Sequence, residues 1–315
     1  VDAPAPLIPE KTPFHRILDN FGQGRAMRNT VATFLAGVCR NAPFERGRWR
    51  IGSLASRLFE SGPMPRGRRT VSTRHGFDMH LTMSELVDRE IYCQGVWEPL
   101  ATQLFAQVLR PGDAVADVGA NIGWFSLLAA RLTGPRGRVH AFEASRPTFA
   151  LLGDNLSLNA AANVEPHLVA VGESAGRASI IQREAGNRGA DCAGPDLGGP
   201  GSVPMVRLDE VLAGVPLRLI KLDIEGWEAK ALRGASGLLD KPAGPDLLFE
   251  FTPDFLRAAG DDPAELLRWL AALDYRMSMI TPAGLEPLDA EVLERRQTYL
   301  YCRKNQFKPL LRQAA

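Results

Sequence analysis

One stretch near the middle of the chain, D-A-V-A-D-V-G-A-N-I-G-W at 113–124, constrains the fold more than any other. Ala114 to Val118 are small or β-branched without a helical period, which predicts a short strand buried on both faces of a parallel sheet. Gly119 and Gly123 bracket a predicted tight turn, because glycine adopts positive φ and lets the backbone approach a ligand. Asn121, between them, tolerates such a backbone. The next segment, W-F-S-L-L-A-A-R-L, has helical composition, so its first N–H groups would point at a bound nucleotide.

The kind of nucleotide follows from the polar residues of this region. The turn does not match the dinucleotide fingerprint G-x-G-x-x-G, because Asn121 and Trp124 occupy two of the glycine positions. Asp117, at the strand end, would repel a pyrophosphate and attract an ammonium or sulfonium group. A second apolar strand, V-H-A-F, ends in Glu143, where a carboxylate can accept hydrogen bonds from both ribose hydroxyls. These residues predict S-adenosylmethionine as the ligand, and the alternative is that both acids are ordinary strand-end carboxylates of an α/β sheet.

These motifs resemble those of the FkbM-type S-adenosylmethionine-dependent methyltransferases. The resemblance extends over roughly Glu85 to Arg303. It is carried by D-V-G-A-N-I-G-W-F-S (117–126), G-R-V-H-A-F-E (137–143), N-L-S-L-N (155–159) and K-L-D-I-E-G-W-E (221–228). The first motif alone marks a broad class, whereas its combination with K-L-D-I-E-G is much more specific. One departure is that Glu143 is followed by Ala-Ser-Arg-Pro, where the family usually has proline directly after the acid.

The order of predicted elements defines the fold class. Strands alternate with helices from about residue 76, and Tyr275–Ile280 and Thr298–Arg303 are the last two strands, predicted to be an antiparallel pair. Together with the resemblance, this predicts an α/β fold of the class I methyltransferase, Rossmann-like type, with a seven-stranded, mostly parallel sheet and helices on both faces. The methyltransferase domain is predicted over 76–305, between an N-terminal extension (1–75) and a C-terminal tail (306–315). The glycine- and proline-rich segment 186–204 is predicted to be a loop without regular structure, either a lid or a segment without function.

The N-terminal extension is predicted to contain a mobile start, a helix and arginine-rich loops. Residues 40–74 hold nine arginines and two glutamates, a local net charge of +7 in a chain whose total is +1. This segment could bind an acidic partner, a phosphorylated carrier or an anionic membrane surface. The alternatives are a solvated collar on the catalytic domain and a homodimer contact.

Composition narrows the class of protein. A hydrophobic content of 45% supports a sizeable core. The four cysteines lie far apart without a C-x-x-C pair, which argues against a cysteine zinc site or a disulfide framework. The apolar run Val31 to Val38 is too short to span a bilayer, and no signal peptide is recognised. We therefore expect a cytoplasmic protein without a transmembrane segment.

Further cofactor contacts are predicted around the turn and at the neighbouring strand ends. They are Ile122, Ala144, Val171 and Gly172. The match to G-V-W-E-P (95–99) implies that Trp97 packs on the cofactor and that Glu98 holds its amino group. Plain core packing is the alternative for Trp97.

The chemistry is predicted for residues at the end of the fourth strand. Lys221 and Asp223 are two residues apart on one strand, so they face the same side, and a buried lysine needs a carboxylate such as Asp223, Glu225 or Glu250. An alcohol acceptor must lose a proton, for which Asp223 is the first candidate base. Glu225 and Glu250 would hold substrate or a divalent metal such as Mg²⁺ together with Asp223. Lys221 would orient Asp223 or lower the pKa of the acceptor hydroxyl. An ion-pair lock between strands is the alternative.

Two histidines are alternative candidates for the catalytic base. His80 or His167 could act as the base instead of Asp223.

The resemblance implies an O-methyltransferase that modifies a hydroxyl of a sugar or secondary metabolite, so that the acceptor is a small molecule or glycan. One alternative is a nucleic-acid methyltransferase that uses the arginine-rich segment, which we regard as the weaker one because no amino-methylating motif follows strand four. The other alternative is a cofactor-binding scaffold without catalysis.

Overall fold

The computed structural model describes residues 24–42, 47–60, 67–199 and 201–304 of the chain. The predicted mobile start and the C-terminal tail 306–315 lie outside these ranges, and so do two parts of the arginine-rich segment, 43–46 and 61–66.

Helices and strands alternate along most of the described chain. The helices are α1 (Gly24–Asn41), α2 (Arg48–Glu60), α3 (Leu86–Gln94), α4 (Pro99–Val108), α5 (Trp124–Thr133), α6 (Arg146–Leu158), α7 (Leu208–Val211), α8 (Glu228–Arg233), α9 (Ser236–Leu239), α10 (Pro253–Ala258) and α11 (Pro263–Ala272). The strands are β1 (Arg68–Ser72), β2 (Asp78–Thr82), β3 (Ala114–Val118), β4 (Arg138–Phe142), β5 (Val164–His167), β6 (Ala170–Val171), β7 (Gly176–Ile181), β8 (Cys192–Gly194), β9 (Ser202–Val206), β10 (Leu217–Leu222), β11 (Asp246–Phe251), β12 (Tyr275–Thr281), β13 (Gly284–Pro287) and β14 (Thr298–Lys304).

The main sheet of the described chain has the strand order β13-β12-β14-β11-β10-β3-β4-β5. Strands β11, β10, β3, β4 and β5 are parallel, and β14 pairs antiparallel with both β11 and β12. The class I methyltransferase, Rossmann-like fold is therefore confirmed. The predicted number of seven strands was too low, because β13 adds a hairpin partner to β12. All four residues of β13 are exposed, so it carries no hydrophobic pattern from which it could be predicted.

A second, smaller sheet with the order β6-β9-β7-β8 packs beside the first. The predicted third strand, 164–171, is divided between the two sheets as β5 and β6. The segment 186–204, predicted to lack regular structure, contains the 3₁₀ turn Arg188–Ala190, the strand β8 and the start of β9. That prediction was wrong because β8 gains its order from pairing with β7 and not from its own glycine-rich sequence.

The core lies on both faces of the main sheet. All five residues of β3 are buried, as predicted, and they alternate between two apolar clusters: Val115 packs on one side, whereas Ala114, Ala116 and Val118 pack on the other. The predicted helix 229–239 is divided into α8 and α9 next to Gly234. A Cβ at Gly234 would lie 2.0 Å from the carbonyl oxygen of Gly172, so the backbones touch at this point.

Helices α1 and α2 pack against α3 and contribute to the core. Ala32, Ala36 and Phe59 belong to the same apolar cluster as the sheet residue Val115. Residues 40–74 were predicted to form arginine-rich loops, but they include the whole of α2, which has 13 residues. No helix within the described ranges is both long enough and apolar enough to cross a membrane.

Several arginines of the basic segment are bound within the fold. Arg74 donates hydrogen bonds to the carbonyl oxygens of Arg40 and Ala42, at 3.2 and 3.1 Å, where α1 ends. Arg68 forms an ion pair with Asp154 on α6 at 2.7 Å. Part of the local positive charge therefore connects the N-terminal helices to the rest of the chain.

Candidate active site

A cavity of about 740 Å³ opens at the carboxyl ends of β3, β4, β10 and β11. Ligands of open α/β sheets bind in this position. Most of the residues predicted for the site line it, namely Trp97, Glu98, Gly119, Asn121, Ile122, Glu143, Ala144, Val171, Lys221, Asp223, Glu225 and Glu250. Asp117, Gly123 and Gly172 are not among the lining residues of the described chain. The cavity therefore brings the predicted cofactor and catalytic residues together in one place.

The turn after β3 has the predicted backbone, and its two glycines each lie close to a different part of the chain. Gly119, Asn121 and Gly123 all have positive φ, at 79°, 49° and 96°. A Cβ at Gly119 would lie 1.9 Å from the carbonyl oxygen of Asp223, and one at Gly123 would lie 2.8 Å from Leu152. The two glycines thus permit close packing of the turn on β10 and α6, and close approach of the turn to a ligand stays a prediction.

Asp117 lies beneath the cavity and not at its surface. Its side chain is fully buried, accepts a hydrogen bond from the Ser126 hydroxyl at 2.6 Å and lies 3.7 Å from the Lys221 ammonium. Burial raises the pKa of Asp117 above its ordinary value. Asp117 and Lys221 face each other because they are register partners on the neighbouring strands β3 and β10. The predicted direct contact of Asp117 with a ligand does not fit this buried position.

Glu143 does line the cavity, at the end of β4. Its two carboxylate oxygens accept backbone N–H groups, from Asn121 at 2.9 Å and from Ser145 at 2.7 Å. Burial raises its pKa to about 7. Each carboxylate oxygen has a further lone pair, so the side chain is fixed in place and can still accept hydrogen bonds from hydroxyl groups.

Lys221 connects the floor of the cavity to the buried Asp117. Its ammonium lies 3.2 Å from Asp223 and 3.4 Å from the carbonyl oxygen of Gly119. It also lies 4.9 Å from the ring centroid of Phe125. Burial alone would lower the pKa of Lys221, but Asp223 and Asp117 raise it above its ordinary value. Lys221 is therefore a permanent cation in this site.

Asp223, Glu225 and Glu250, called the acidic cluster below, each place a carboxylate oxygen within 4.8 Å of the others. Burial and the charge of Asp223 raise the pKa of Glu225 to about 8 and that of Glu250 to about 10. The same two causes, burial and the charge of Asp223, raise the pKa of Glu98 to about 8. Because carboxylates exceed cations here, the cavity favours a positively charged ligand.

Two buried oxygen atoms also indicate that the cavity favours a positively charged ligand. The Oε2 atoms of Glu98 and Glu250 have no hydrogen-bond partner among the described residues, although both residues line the cavity. Buried polar atoms of this kind normally have a partner. An ammonium group of a cofactor fits these oxygens, and a divalent cation fits the acidic cluster, since carboxylate oxygens are the ligands that Mg²⁺ prefers.

Some lining residues were not predicted from the sequence. Tyr299 on β14 donates a hydrogen bond to Glu98, and the Gln297 amide donates one to Glu250. Tyr299 is the register partner of Glu250. The alternation in T-Y-L-Y predicts a strand, but only the pairing of β14 with β11 brings Tyr299 to the cavity. In contrast, His80 and His167 are not among the described lining residues, so neither is placed to act as the base.

The segment 187–193 forms part of the cavity wall. Arg188 attaches it to α3 through an ion pair with Asp88 at 2.7 Å, and the Leu86 N–H donates to the carbonyl oxygen of Gly186 at 3.0 Å. Movement of this segment as a lid stays a prediction.

Comparison with known proteins identifies the family. The family model described as the methyltransferase FkbM domain matches residues 117–277, about half of the chain. The 31-O-demethyl-FK506 methyltransferase FkbM of Streptomyces tacrolimicus is 32% identical over 159 residues, which cover 40% of this chain and 60% of that protein. The chain thus spans about 60% of the length of this relative.

Solved methyltransferase structures are also similar to the chain. A SAM-dependent O-methyltransferase from Thermotoga maritima is 16% identical, with a TM-score of 0.41, and the match covers 78% of this chain and 81% of that one. Fibrillarin from Aeropyrum pernix, with natively bound S-adenosyl-L-methionine, is 14% identical, with a TM-score of 0.37 and coverages of 65% and 74%. The family match over half of the chain decides the assignment. The chain belongs to the FkbM methyltransferase family.

Proposed function

We propose that the protein is an O-methyltransferase that acts on a hydroxyl group of a small molecule, either a sugar or a secondary metabolite. The observation that carries this proposal is the position of the acidic cluster and Lys221 at the same cavity as Glu143 and the turn after β3. The name of the Streptomyces relative, 31-O-demethyl-FK506 methyltransferase, is in keeping with transfer to an oxygen atom.

The proposed donor site uses the anionic groups around the turn. When bound, S-adenosylmethionine supplies a methyl group on a sulfonium. Glu143 would accept hydrogen bonds from the ribose hydroxyls with the lone pairs that Asn121 and Ser145 leave open. Glu98, whose Oε2 has no partner among the described residues, would hold the amino group. Asp117 would act indirectly, by keeping Lys221 in place.

The proposed acceptor site lies over the acidic cluster. A hydroxyl group is too weakly acidic to lose its proton unaided at neutral pH, so a positioned base is required. Asp223 is our candidate, because its carboxylate is partly exposed at the cavity and lies 3.2 Å from the Lys221 ammonium, which holds it in position. Glu225 and Glu250 would orient the acceptor. If a divalent metal is bound, these two residues and Asp223 would hold it, and it would act as a Lewis acid toward the hydroxyl oxygen.

The test is turnover of a panel of acceptors by the purified full chain. Hydroxylated sugars and polyhydroxylated secondary metabolites are incubated with methyl-labelled S-adenosylmethionine, and the position of the label is determined by mass spectrometry and NMR. We expect label on an oxygen. Label on a carbon or nitrogen atom would contradict the proposal. Preferred methylation of RNA or DNA, with affinity that falls steeply with salt, would establish the nucleic-acid alternative instead. Binding of the cofactor without turnover of any acceptor would favour the scaffold alternative.

A further inference from the structure

Two histidines and a glutamate meet at the outer edge of the main sheet, in a group that we call the edge triad: His140, Glu165 and His167. His140 on β4 is the register partner of Glu165 on β5, and His167 follows two residues later on the same strand. Residues two apart on a strand share a face. The three side chains therefore converge because of their positions on two paired strands. None of the three is among the lining residues of the cavity in the described chain.

The distances within the edge triad are within a few tenths of an ångström of those in a metal site. The His140 Nδ1 atom lies 3.2 Å from the His167 Nε2 atom and 3.5 Å from the Glu165 Oε2 atom. The His167 Nε2 atom lies 3.9 Å from the Glu165 Oε1 atom. Zinc bonds to nitrogen and oxygen are about 2.0–2.2 Å long in tetrahedral sites, which places neighbouring ligand atoms about 3.3–3.6 Å apart. Small side-chain movements would bring all three atoms to one ion.

The surroundings hold the two imidazoles and leave the glutamate accessible. The side chain of His140 is 6% exposed and that of His167 is 18% exposed, whereas Glu165 is 60% exposed. The His167 ring stacks on His140 and on Phe142, with centroid distances of 5.5 and 4.6 Å. Each imidazole offers one ring nitrogen to the centre of the group, and the Glu165 carboxylate offers an oxygen. An ion could enter from the side of Glu165.

We propose that the edge triad binds a zinc ion, with water in the remaining coordination position. Two imidazoles and one carboxylate are a common ligand set for zinc. Because the site uses no cysteine, it is compatible with the scattered cysteines of the sequence, all four of which are buried and free.

Zinc at the edge triad would stabilise the strand end that carries Glu143. The carbonyl oxygen of His167 accepts a hydrogen bond from the Glu143 N–H at 3.0 Å, and the His167 ring packs on Phe142, which lines the cavity. An ion shared by β4 and β5 would therefore restrain the two strands directly behind the cavity. The ion would have a structural role, without contact to the reacting groups.

The test uses the full chain, with any affinity tag removed and metals stripped by a chelator. Zinc is titrated by calorimetry, and thermal unfolding is measured with and without zinc. We expect one zinc ion per chain and a higher melting temperature with zinc. Glu165→Gln and His167→Gln should each weaken zinc binding at least about tenfold, since even the loss of an outer-shell partner costs that much. Circular dichroism establishes that both variants are folded.

Two controls separate the edge triad from other carboxylates. Glu210→Gln changes a side chain with the same 60% exposure as Glu165 and should leave zinc binding unchanged. Asp223→Asn removes a member of the acidic cluster and should also leave it unchanged. Equal zinc affinity of the wild type and Glu165→Gln would overturn the proposal. Loss of zinc binding in Asp223→Asn would likewise overturn it, because the ion would then belong to the acidic cluster.

Discussion

The Tyr299 hydroxyl donates a hydrogen bond to Glu98, a residue 201 positions earlier in the chain. The contact joins the last described strand, β14, to the turn before α4, and both residues line the cavity. Burial and Asp223 raise the pKa of Glu98 to about 8, whereas the Tyr299 hydroxyl acts in the opposite direction. Tyr299 therefore favours the charged form of the residue that we propose as the holder of the cofactor amino group.

Tyr299→Phe should weaken cofactor binding. Loss of the hydroxyl removes a hydrogen bond to a carboxylate, a contact worth about 1.5–3 kcal/mol, and favours protonated Glu98, which attracts a cation less. We expect the affinity for S-adenosylmethionine, measured by calorimetry at pH 7.5, to fall about tenfold. Tyr301→Phe is the matched control, because its hydroxyl lies on the same strand and bonds to Asp246, which is not among the described lining residues. Equal affinities for the two variants would refute this role of Tyr299.

Asp223→Asn should separate catalysis from cofactor binding. If Asp223 accepts the acceptor proton, turnover should fall by at least about a hundredfold, because general bases contribute factors of about 10²–10⁴. The affinity for S-adenosylmethionine should remain close to that of the wild type. Single-turnover rates and calorimetry measure the two quantities, and Asp154→Asn, at an ion pair on the surface, serves as the control. Unchanged turnover would remove Asp223 from the mechanism.

Gly119→Ala should be far more damaging than Gly112→Ala. Both glycines have positive φ, 79° and 92°, so both substitutions cost about 1–2 kcal/mol in backbone strain. At Gly112 no other atom lies within 4 Å of the added Cβ, whereas at Gly119 the carbonyl oxygen of Asp223 lies at 1.9 Å. The free energy of unfolding, measured with urea, should therefore fall several times more for Gly119→Ala. Equal losses of unfolding free energy in the two variants would mean that the turn lies further from β10 than the structure shows.

The protein without cofactor should lose stability as the pH rises. The pKa of Glu225 is about 8 in the folded chain, against an ordinary value of 4.5. The folded state therefore binds more protons than the unfolded state in this interval, and the stabilisation from protonated Glu225 is complete below about pH 4.5 and lost as the pH rises through about 8. Glu225→Gln, which imitates the protonated side chain, should flatten the pH dependence of the melting temperature. Parallel curves for the two proteins would contradict the raised pKa.

The sequence predicts well those parts of the site that are determined by short, continuous segments of the chain. The buried strand β3, the positive φ values of Gly119 and Asn121, and the position of Glu143 at the end of β4 follow from short motifs. The proximity of Lys221 and Asp223 also follows, since two residues on one strand determine it.

The remaining features depend on which strands become neighbours. Tyr299 reaches the cavity only because β14 inserts antiparallel beside β11. Asp117 is removed from the cavity surface because its register partner on β10 is Lys221, which covers it. Strands β8 and β13 are ordered by pairing, and their own residues give no apolar alternation. The predicted boundary of the N-terminal extension at residue 75 and the homodimer through it stay predictions.

The insertion of β14 between β11 and β12 has a consequence for synthesis of the protein. A ribosome delivers β3, β4, β10 and β11 before it delivers β14, because synthesis proceeds from the N-terminus at about 5–20 residues per second. Until residues 298–304 emerge, the hydroxyl that bonds Glu98 is missing and one edge of β11 is unpaired. The nascent chain therefore cannot acquire the complete proposed donor site before nearly all of its described length has been translated.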